Sequence, residues 1–279
     1  MSGMPEIRAE DFDRQAQAWE KWWPLLERAS QPVSDELVSR ASVGPGARVL
    51  DVGTGLGEPA LTASRLVDPT GSVLAVDEAP AMIALARKRA AREGVRNVEF
   101  QVGDIETMEI EGPFDAILSR WGLMFARDID ALLVRLRRLL LPGGRLAGAT
   151  WAVPPAVPLI ALPLMVAIEE GFLEPGPATG PFALHDPMAL ERRLARAGYA
   201  DARVRPMPVI FTFPSVKEYV EQFLDMSSPV IALFDRLDPG RRDELLRAVE
   251  KAAKARYGGL DGRLRMTNEA MILSAGAPR

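Results

Sequence analysis

The chain has 279 residues, of which 48% are hydrophobic and 26% are charged, as is ordinary for a folded globular protein. Its formal net charge of −4 excludes the basic surface that attracts nucleic acid, so we expect no nucleic-acid partner. The absence of cysteine and the single histidine exclude disulfides, thiolate nucleophiles and most imidazole metal sites, so we expect no metal ion.

Strands alternate with helices from about residue 47 onwards. Apolar runs predict strands at 48–52, 72–76, 98–102, 114–119 and 145–150. Helical periodicity fills the intervals at 60–67, 80–93 and 129–141. This alternation predicts a parallel sheet with helices on both faces, and further strands near 202–213 and 269–275 bring the total to seven.

The regions that flank this alternation differ from it. We predict an N-terminal helical cap over 1–45, a ligand-binding core over 46–150, and a third part over 151–279. That third part supplies a substrate lid, additional helices and the last two strands of the same sheet. Trp19, Trp22 and Trp23 cluster in the cap. They are interpreted either as a flap over the ligand or as the apolar face of a docking helix.

Residues 49–57 read Val-Leu-Asp-Val-Gly-Thr-Gly-Leu-Gly, a buried strand that runs into glycines at alternate positions. Such a turn lets a ligand rest directly against the backbone, because no Cβ intervenes. A dinucleotide-binding turn needs glycine at the position of Glu58, where a carboxylate would repel a pyrophosphate. Together with Asp51, Glu58 predicts a positively charged, nucleotide-like ligand, which disfavours NAD and a nicotinamide oxidoreductase.

Acids end three successive predicted strands: Asp51, Asp77 and Asp104. Each alone is explained by a helix cap or a turn. All three behind a glycine-rich turn instead indicate a nucleoside site, in which Asp77 accepts both ribose hydroxyls and Asp104 accepts from an exocyclic amine.

These motifs, together with Leu140-Leu141-Pro142-Gly143-Gly144, resemble the motif series of class I S-adenosylmethionine-dependent methyltransferases. More narrowly, Ser119-Arg120-Trp121-Gly122-Leu123-Met124-Phe125 resembles the subgroup similar to the ubiquinone/menaquinone-biosynthesis methyltransferases. The resemblance covers about residues 45–150. It implies a Rossmann-like α/β fold with a seven-stranded, mostly parallel sheet, an N-terminal helical cap and helical lid insertions.

The resemblance also implies how S-adenosylmethionine is bound. The glycine turn holds the methionine portion, Asp77 the ribose and Asp104 with Ile105 the adenine, while backbone carbonyls at the end of the fourth strand hold the α-ammonium. The full set of implied cofactor-binding residues is Asp51, Gly53, Thr54, Gly55, Gly57, Asp77, Glu78, Met82, Asp104, Ile105, Ser119, Arg120 and Trp121.

The acceptor is expected to be a small, largely apolar molecule, aromatic or isoprenoid-like, because the lid regions are rich in large apolar side chains. Glu170 and His185 are the candidate catalytic residues, Glu170 as a general base and His185 in a catalytic or substrate-binding role. The structural alternatives are a solvated helix end for Glu170 and, for His185, its place before the helix start at Asp186-Pro187. Methyl transfer is an in-line displacement that positioning and desolvation largely supply, so an obvious base is not required.

Two alternatives stay open. A C-methyltransferase of a prenyl diphosphate would use the lid arginines Arg192, Arg193, Arg203 and Arg205. A non-catalytic S-adenosylmethionine-binding module would act as a partner subunit. We further expect a cytoplasmic protein without stable membrane insertion, and the sequence is compatible with a homodimer.

Overall fold

The computed structural model describes residues 8–177 and 179–279. Its strands are β1 Arg48–Val52, β2 Ser72–Asp77, β3 Val98–Val102, β4 Phe114–Arg120, β5 Leu140–Trp151, β6 Ala200–Phe213 and β7 Leu264–Gly276. Its α-helices are α1 Ala9–Arg14, α2 Ala16–Arg40, α3 Ala60–Leu66, α4 Pro80–Arg92, α5 Ile129–Leu139, α6 Pro158–Glu169, α7 Pro187–Arg196, α8 Val216–Met226, α9 Ser228–Phe234 and α10 Pro239–Tyr257. Among these helices, none combines the length and the apolar character needed to cross a membrane.

All strands of the described residues join one seven-stranded sheet in the order β3-β2-β1-β4-β5-β7-β6. The pairs β2–β3, β1–β2, β1–β4 and β4–β5 are parallel, and β7 runs antiparallel to β5. The predicted α/β fold with a seven-stranded, mostly parallel sheet is confirmed. The strand order reverses between β1 and β4, so their carboxyl ends flank the crevice in which open α/β sheets bind ligands.

β5 begins earlier than the sequence predicts. Residues 129–141 were predicted to be helical, with Pro142-Gly143-Gly144 closing the helix, but α5 ends at Leu139 and Leu140 already pairs with Phe114 of β4. The register of this pair shifts between Phe114 and Ala116. Pro142, Gly143 and Gly144 thus lie within an irregular stretch of strand rather than in a turn that follows the helix.

The described chain groups into two compact units. The sheet unit comprises Gln31–Trp151, Pro181–Met207 and Ala270–Arg279, and the helical unit comprises the chain up to Ser30, Ala152–Gly180 and Pro208–Glu269. The boundary after Ser30 falls inside α2, next to Pro32, which has no amide hydrogen with which to continue the helical bonding. The divisions after residues 45 and 150 stay predictions.

The interior of the helical unit is aromatic. The Tyr219 ring makes edge-on contacts with Phe213 and Phe223, at centroid distances of 5.3 Å each. Its hydroxyl donates to the carbonyl oxygen of Pro158 at 3.3 Å, at the start of α6. The Tyr219 ring is thus buried among apolar rings, and a backbone carbonyl satisfies its hydroxyl.

Candidate active site

The glycine turn that follows β1 has the backbone conformation that its sequence predicts. Gly53, Gly55 and Gly57 have φ angles of +70°, +54° and +96°, a region that other residues rarely adopt. A Cβ on Gly53 would lie 2.9 Å from the Cα of Gly122, whereas one on Gly55 would meet no protein atom within 4 Å. Gly53 therefore permits the ends of β1 and β4 to approach, and Gly55 leaves open space beside the turn.

Asp51 is a fully buried carboxylate at the end of β1. Its Oδ2 accepts from the backbone amide of Ala60 at 3.0 Å, at the start of α3. The Thr54 hydroxyl is close to it, yet Oδ1 of Asp51 and Oγ1 of Thr54 make no hydrogen bond of normal geometry with any described residue. Burial raises the pKa of Asp51 to about 7, against the opposing effects of its hydrogen bonds and of Arg120.

The Glu58 carboxylate makes contacts that the sequence does not reveal. Its Oε2 accepts from the Thr62 hydroxyl at 2.7 Å, and its Oε1 lies 3.6 Å from the guanidinium of Arg89. The carboxylate is buried and its charge is offset by Arg89. Its negative charge still acts at the site, because it adds to the effect of burial in raising the pKa of Asp51.

Asp77 ends β2 and is tied to the glycine turn. Its Oδ2 accepts from the amide of Gly55 at 2.7 Å, and its Oδ1 accepts from the amide of Ala79 at 3.0 Å. The amides of Gly53 and Thr54 in turn donate to the carbonyl of Val76. These bonds fix the plane of the carboxylate at the carboxyl edge of the sheet, where a diol could be recognised.

Asp104 follows β3 and belongs to a cluster of charges that the sequence does not reveal. Arg127 forms an ion pair with Asp104 and also lies 3.5 Å from Glu106 and 3.9 Å from Glu78. Burial raises the pKa of Asp104, but hydrogen bonds from Arg127, the Glu106 amide and Thr107 outweigh it and hold the pKa below its usual value. Arg127 thus links Glu78 with Asp104, acids that were predicted to contact the nucleoside. Ile105, beside Asp104, is half-buried.

The last residues of β4 face the glycine turn. The Ser119 hydroxyl donates to the carbonyl of Val52 at 2.8 Å, which turns its side chain towards β1 rather than towards a ligand. The Arg120 guanidinium is buried and donates to the Ser34 hydroxyl of α2 at 2.9 Å. A buried cation therefore lies near Asp51, where sequence reasoning considered only backbone carbonyls.

Trp121 has a strained backbone at the end of β4. Its φ of +60° is rare for an aromatic residue and costs about 1–2 kcal/mol. The conformation is held by a hydrogen bond from its amide to Ala149 and by stacking on Trp151, at 4.4 Å between ring centroids. Its indole Nε1 is buried without a partner among the described residues. Strain that the surroundings enforce is typical of ligand-binding positions.

The two proposed catalytic residues lie in different units. His185 is half-buried in the sheet unit, and its Nδ1 donates to the carbonyl of Phe182 at 2.8 Å. Because the neighbouring Leu184 carbonyl accepts from Thr150, His185 lies close to the end of β5. A proton on Nδ1 leaves the lone pair of a neutral ring on Nε2.

Glu170 lies in the helical unit at the end of α6, exposed, as a solvated helix end would be. Its exposure gives no support to a role as general base. Trp22 lies in the same unit, where its indole donates to Asp225 of α8 at 2.8 Å. Met82 is buried in the first turn of α4, within the sheet unit.

The residues present fit an adenosyl cofactor with an amino acid tail. Acids end β1, β2 and β3 at one edge of the sheet, and Gly55 leaves open space beside them. Buried polar atoms of Asp51, Thr54 and Trp121 have no partner within the described chain. Such atoms are rare unless a ligand or water satisfies them. Arg127 and Ser34 were missed from the sequence because only tertiary packing brings them here.

Residues 44–161 match the family model of a methyltransferase domain. The chain is 36% identical over 117 residues to the aklanonic acid methyltransferase of Streptomyces sp. strain C5, covering 42% of this chain and 53% of that protein. It is 37% identical over 111 residues to the ubiquinone/menaquinone biosynthesis C-methyltransferase of Pseudomonas putida, covering 39% of this chain and 43% of that protein. The matched segment spans about half the length of these curated relatives.

Solved structures resemble the fold over more of the chain. The phosphoethanolamine N-methyltransferase 2 of Haemonchus contortus, in complex with S-adenosyl-L-methionine, has a TM-score of 0.61 and 19% identity over 98% of this chain and 60% of that one. The 4+2 cyclase SpnF has a TM-score of 0.58 and 18% identity over 99% of each chain. At such identities the likeness establishes the fold alone. Residues 44–161 are thus similar in sequence to a methyltransferase domain, and the fold resembles that of a structure solved with S-adenosyl-L-methionine.

Proposed function

We propose that this protein is an S-adenosylmethionine-dependent methyltransferase that acts on a small, largely apolar acceptor. The observation that carries the proposal is the edge of the sheet around Gly55. There, in the segment that matches a methyltransferase domain, buried polar atoms of Asp51, Thr54 and Trp121 make no hydrogen bond of normal geometry with described residues, and Gly55 leaves open space beside the turn. When bound, S-adenosylmethionine supplies a methyl group on a positively charged sulfur.

Each part of the cofactor has a candidate partner in the chain. Asp77, oriented by Gly55 and Ala79, would accept from the ribose hydroxyls. Asp104 and Ile105 would flank the adenine. Asp51 would accept from the α-ammonium, and the buried Arg120 would bind the carboxylate of the same amino acid group. These assignments follow charge complementarity along the carboxyl edge of the sheet.

The chain positions the acceptor rather than activating it strongly. His185 is the candidate for removing a proton from it, because Nε2 retains its lone pair while Nδ1 is bound to Phe182. We expect His185→Asn to lower kcat by roughly tenfold to a hundredfold if this step matters. An unchanged kcat over the pH range 6–9 would remove the assignment and leave positioning as the main contribution.

The prenyl diphosphate alternative finds little support. Arg193 is paired with Asp130 and Arg203 donates to its neighbouring carbonyl, while Arg192 and Arg205 are exposed. The fold alone does not require methyl transfer, because SpnF, similar over its whole length, is named a cyclase rather than a methyltransferase. A shared fold therefore does not decide the reaction.

Isothermal titration calorimetry with S-adenosylmethionine, S-adenosylhomocysteine and NADH tests the proposal. Binding of the first two with a Kd in the micromolar range, and no heat with NADH, is the expected result. In Gly55→Ala the added Cβ enters the open space, so we expect at least about tenfold weaker binding. Gly94→Ala is the matched control, because Gly94 also has a positive φ (+70°) and open surroundings but ends α4 far along the chain. Absence of heat with both adenosyl compounds would overturn the proposal.

Turnover is tested separately. Release of S-adenosylhomocysteine with a panel of phenols, quinols, amines and prenyl diphosphates shows whether the bound cofactor is consumed. Consumption with a phenol or quinol supports the proposed acceptor class. Binding without consumption by any member would instead favour the non-catalytic module.

A further inference from the structure

Glu58 is a buried carboxylate beside the glycine turn that takes no part in the proposed contacts with the cofactor. It follows Gly57 directly, and its side chain is only 1% exposed. An ionised carboxylate is costly to bury unless partners hold it, so its position beside a ligand site indicates a use for its charge.

Two partners hold the Glu58 side chain in place. Its Oε2 accepts from the Thr62 hydroxyl at 2.7 Å, in the first turn of α3, and its Oε1 lies 3.6 Å from the Arg89 guanidinium of α4. Arg89 also donates to the carbonyl of Leu56 at 2.6 Å, so the same guanidinium contacts the glycine turn. The pair of Glu58 and Arg89 is thus fixed directly beside that turn.

The charges of this pair do not cancel inside the protein, because solvent reaches them unequally. The Arg89 side chain is 15% exposed, against 1% for Glu58. Arg89 is also shared with a second carboxylate, Glu93, at 3.4 Å, whose side chain is 34% exposed. Solvent screens exposed charges more strongly than buried ones, so the negative charge of Glu58 predominates in the interior.

The charge of Glu58 acts on Asp51, the carboxylate proposed to bind the cofactor. Asp51 accepts from the amide of Ala60, two residues after Glu58, and is fully buried. Burial raises the pKa of Asp51 most, and the charge of Glu58 raises it further, whereas Arg120 lowers it. The electrostatic effect of Glu58 therefore extends through the interior to the candidate cofactor site.

We propose that Glu58 and Arg89 set the preference of this site for the positively charged methyl donor over its uncharged product. The inference rests on the proposed function, because it concerns the same cofactor site. The charge of Glu58 favours a ligand with a cationic sulfur, and the opposite charge of Arg89 limits that preference. When the bond between sulfur and methyl breaks, its electron pair stays on sulfur. Glu58 therefore holds the resulting thioether less strongly, which promotes its release.

Two ligands that differ by one methyl group and one charge test the inference. Calorimetry of the full chain gives the ratio of the Kd of S-adenosylhomocysteine to the Kd of S-adenosylmethionine. A disturbed fold weakens both ligands alike and leaves this ratio unchanged, because they share their other contacts. In Glu58→Gln, which keeps the shape of the side chain, the ratio should fall by about threefold to tenfold, as expected for a partly screened charge interaction.

Arg89→Gln should change the ratio in the opposite direction. Without the cation the charge of Glu58 is less compensated, so the ratio should rise by about threefold or more, even where both affinities fall. Arg89→Lys retains the charge and should keep the wild-type ratio. Because the two predicted shifts have opposite signs, a shift in the same direction in Glu58→Gln and Arg89→Gln would overturn the inference.

Glu36→Gln is the matched control for the loss of one carboxylate. Glu36 forms a partly exposed ion pair with Arg40 at 2.7 Å, within the sheet unit, so the ratio should stay within about twofold of the wild-type value. A ratio that is equally unchanged in Glu58→Gln would overturn the inference, and this outcome does not depend on the folding of Arg89→Gln.

Sinefungin separates the charge from the methyl group, because a protonated amine replaces its methylated sulfur. Its affinity should follow that of S-adenosylmethionine in each variant, and affinity that follows S-adenosylhomocysteine instead would overturn the inference. The proposed function fails separately. If neither adenosyl compound binds, the proposed function is refuted and this inference with it, whereas binding of both with an unaltered ratio in the variants refutes only the charge preference.

Discussion

The sheet unit and the helical unit satisfy their buried polar groups with partners at different distances along the chain. Along the carboxyl edge of the sheet, Asp51 accepts from the amide of Ala60, which lies three residues after the glycine turn. Asp77 accepts from the amide of Gly55, which lies within that turn. In the helical unit, Asn268 and Gln222 are isolated polar residues among aromatic and aliphatic side chains. Short sequence motifs therefore predict a site formed by strand ends, whereas a site formed by packed helices depends on segments far apart in the chain.

The largest expected effect concerns the helical unit. Asn268 accepts from the Leu159 amide at 2.8 Å and donates to the carbonyl of Met266 at 2.9 Å. Asn268→Leu leaves both backbone groups buried without a partner, so we expect the free energy of unfolding to fall by about 3–5 kcal/mol in urea titrations. S-adenosylmethionine affinity should stay within about twofold at 15 °C, because the residues proposed to bind the cofactor lie in the sheet unit. A matching loss of cofactor affinity would break the distinction between the two units.

The next effect concerns the close approach of β1 and β4. Gly53→Ala places a Cβ 2.9 Å from the Gly122 Cα and forces alanine into a positive φ. We expect destabilisation of about 2–4 kcal/mol, measured in urea. Gly55→Ala has the same kind of φ strain without the contact and should cost only about 1 kcal/mol. Equal costs would show that the approach of the two strand ends does not constrain Gly53.

A third prediction uses the raised pKa of Asp51. A carboxyl with a pKa of about 7 in the folded protein and an ordinary value when unfolded favours folding at low pH. That contribution is fully present below about pH 4 and is lost as the pH rises to about 7. As the pH rises from 4.5 to 7.5, the unfolding free energy of the wild type should therefore fall by about 2–4 kcal/mol relative to that of Asp51→Asn.

The same carboxyl should report on the cofactor. A bound ammonium favours ionised Asp51, so S-adenosylmethionine binding near pH 6.5 should release a fraction of a proton. Calorimetry in buffers of different ionisation enthalpy measures this release. Asp51→Asn should abolish it, and release that persists in that variant would assign the proton to another group.

The smallest effect concerns the exposed Arg127. Arg127→Gln removes the cation shared by Glu78, Asp104 and Glu106. Because exposed ion pairs contribute little, we expect cofactor affinity to change by no more than about fivefold, and less at 0.5 M salt. A larger, salt-independent loss would show that Arg127 contacts the cofactor itself.

The sheet was predictable because its signals are local. The runs at 48–52, 98–102 and 114–119 reappear as β1, β3 and β4 within a residue of the predicted bounds. The start of β5 was missed because Pro142-Gly143-Gly144 is typical of a turn, whereas pairing of Leu140 with Phe114 overrides that local preference. The local sequence pattern carries no information about which distant strand a segment pairs with.

The sequence predicted the main-chain features of the site and the acids at its strand ends, but not the side chains that pair with them. The glycines and the three strand-end acids lie where their spacing indicates, but the pairing of Glu58 with Arg89, 31 residues away, could not be predicted. Arg127 reaches Asp104 from a later loop, and Trp22 contacts Asp225 of α8 across about two hundred residues of sequence. Such partners leave no periodic signal, so the acceptor region could be described only by composition.

The position of β7 in the chain has a consequence for synthesis. β7 is made after all other strands, yet its residues Ala270–Gly276 cover the edge of β5. Until β7 emerges from the ribosome, β5 presents unpaired amides and carbonyls of the kind that recruit foreign strands. The nascent protein therefore passes through a state with an open sheet edge, and its yield in cells should depend on how promptly β7 arrives or how well chaperones shield β5.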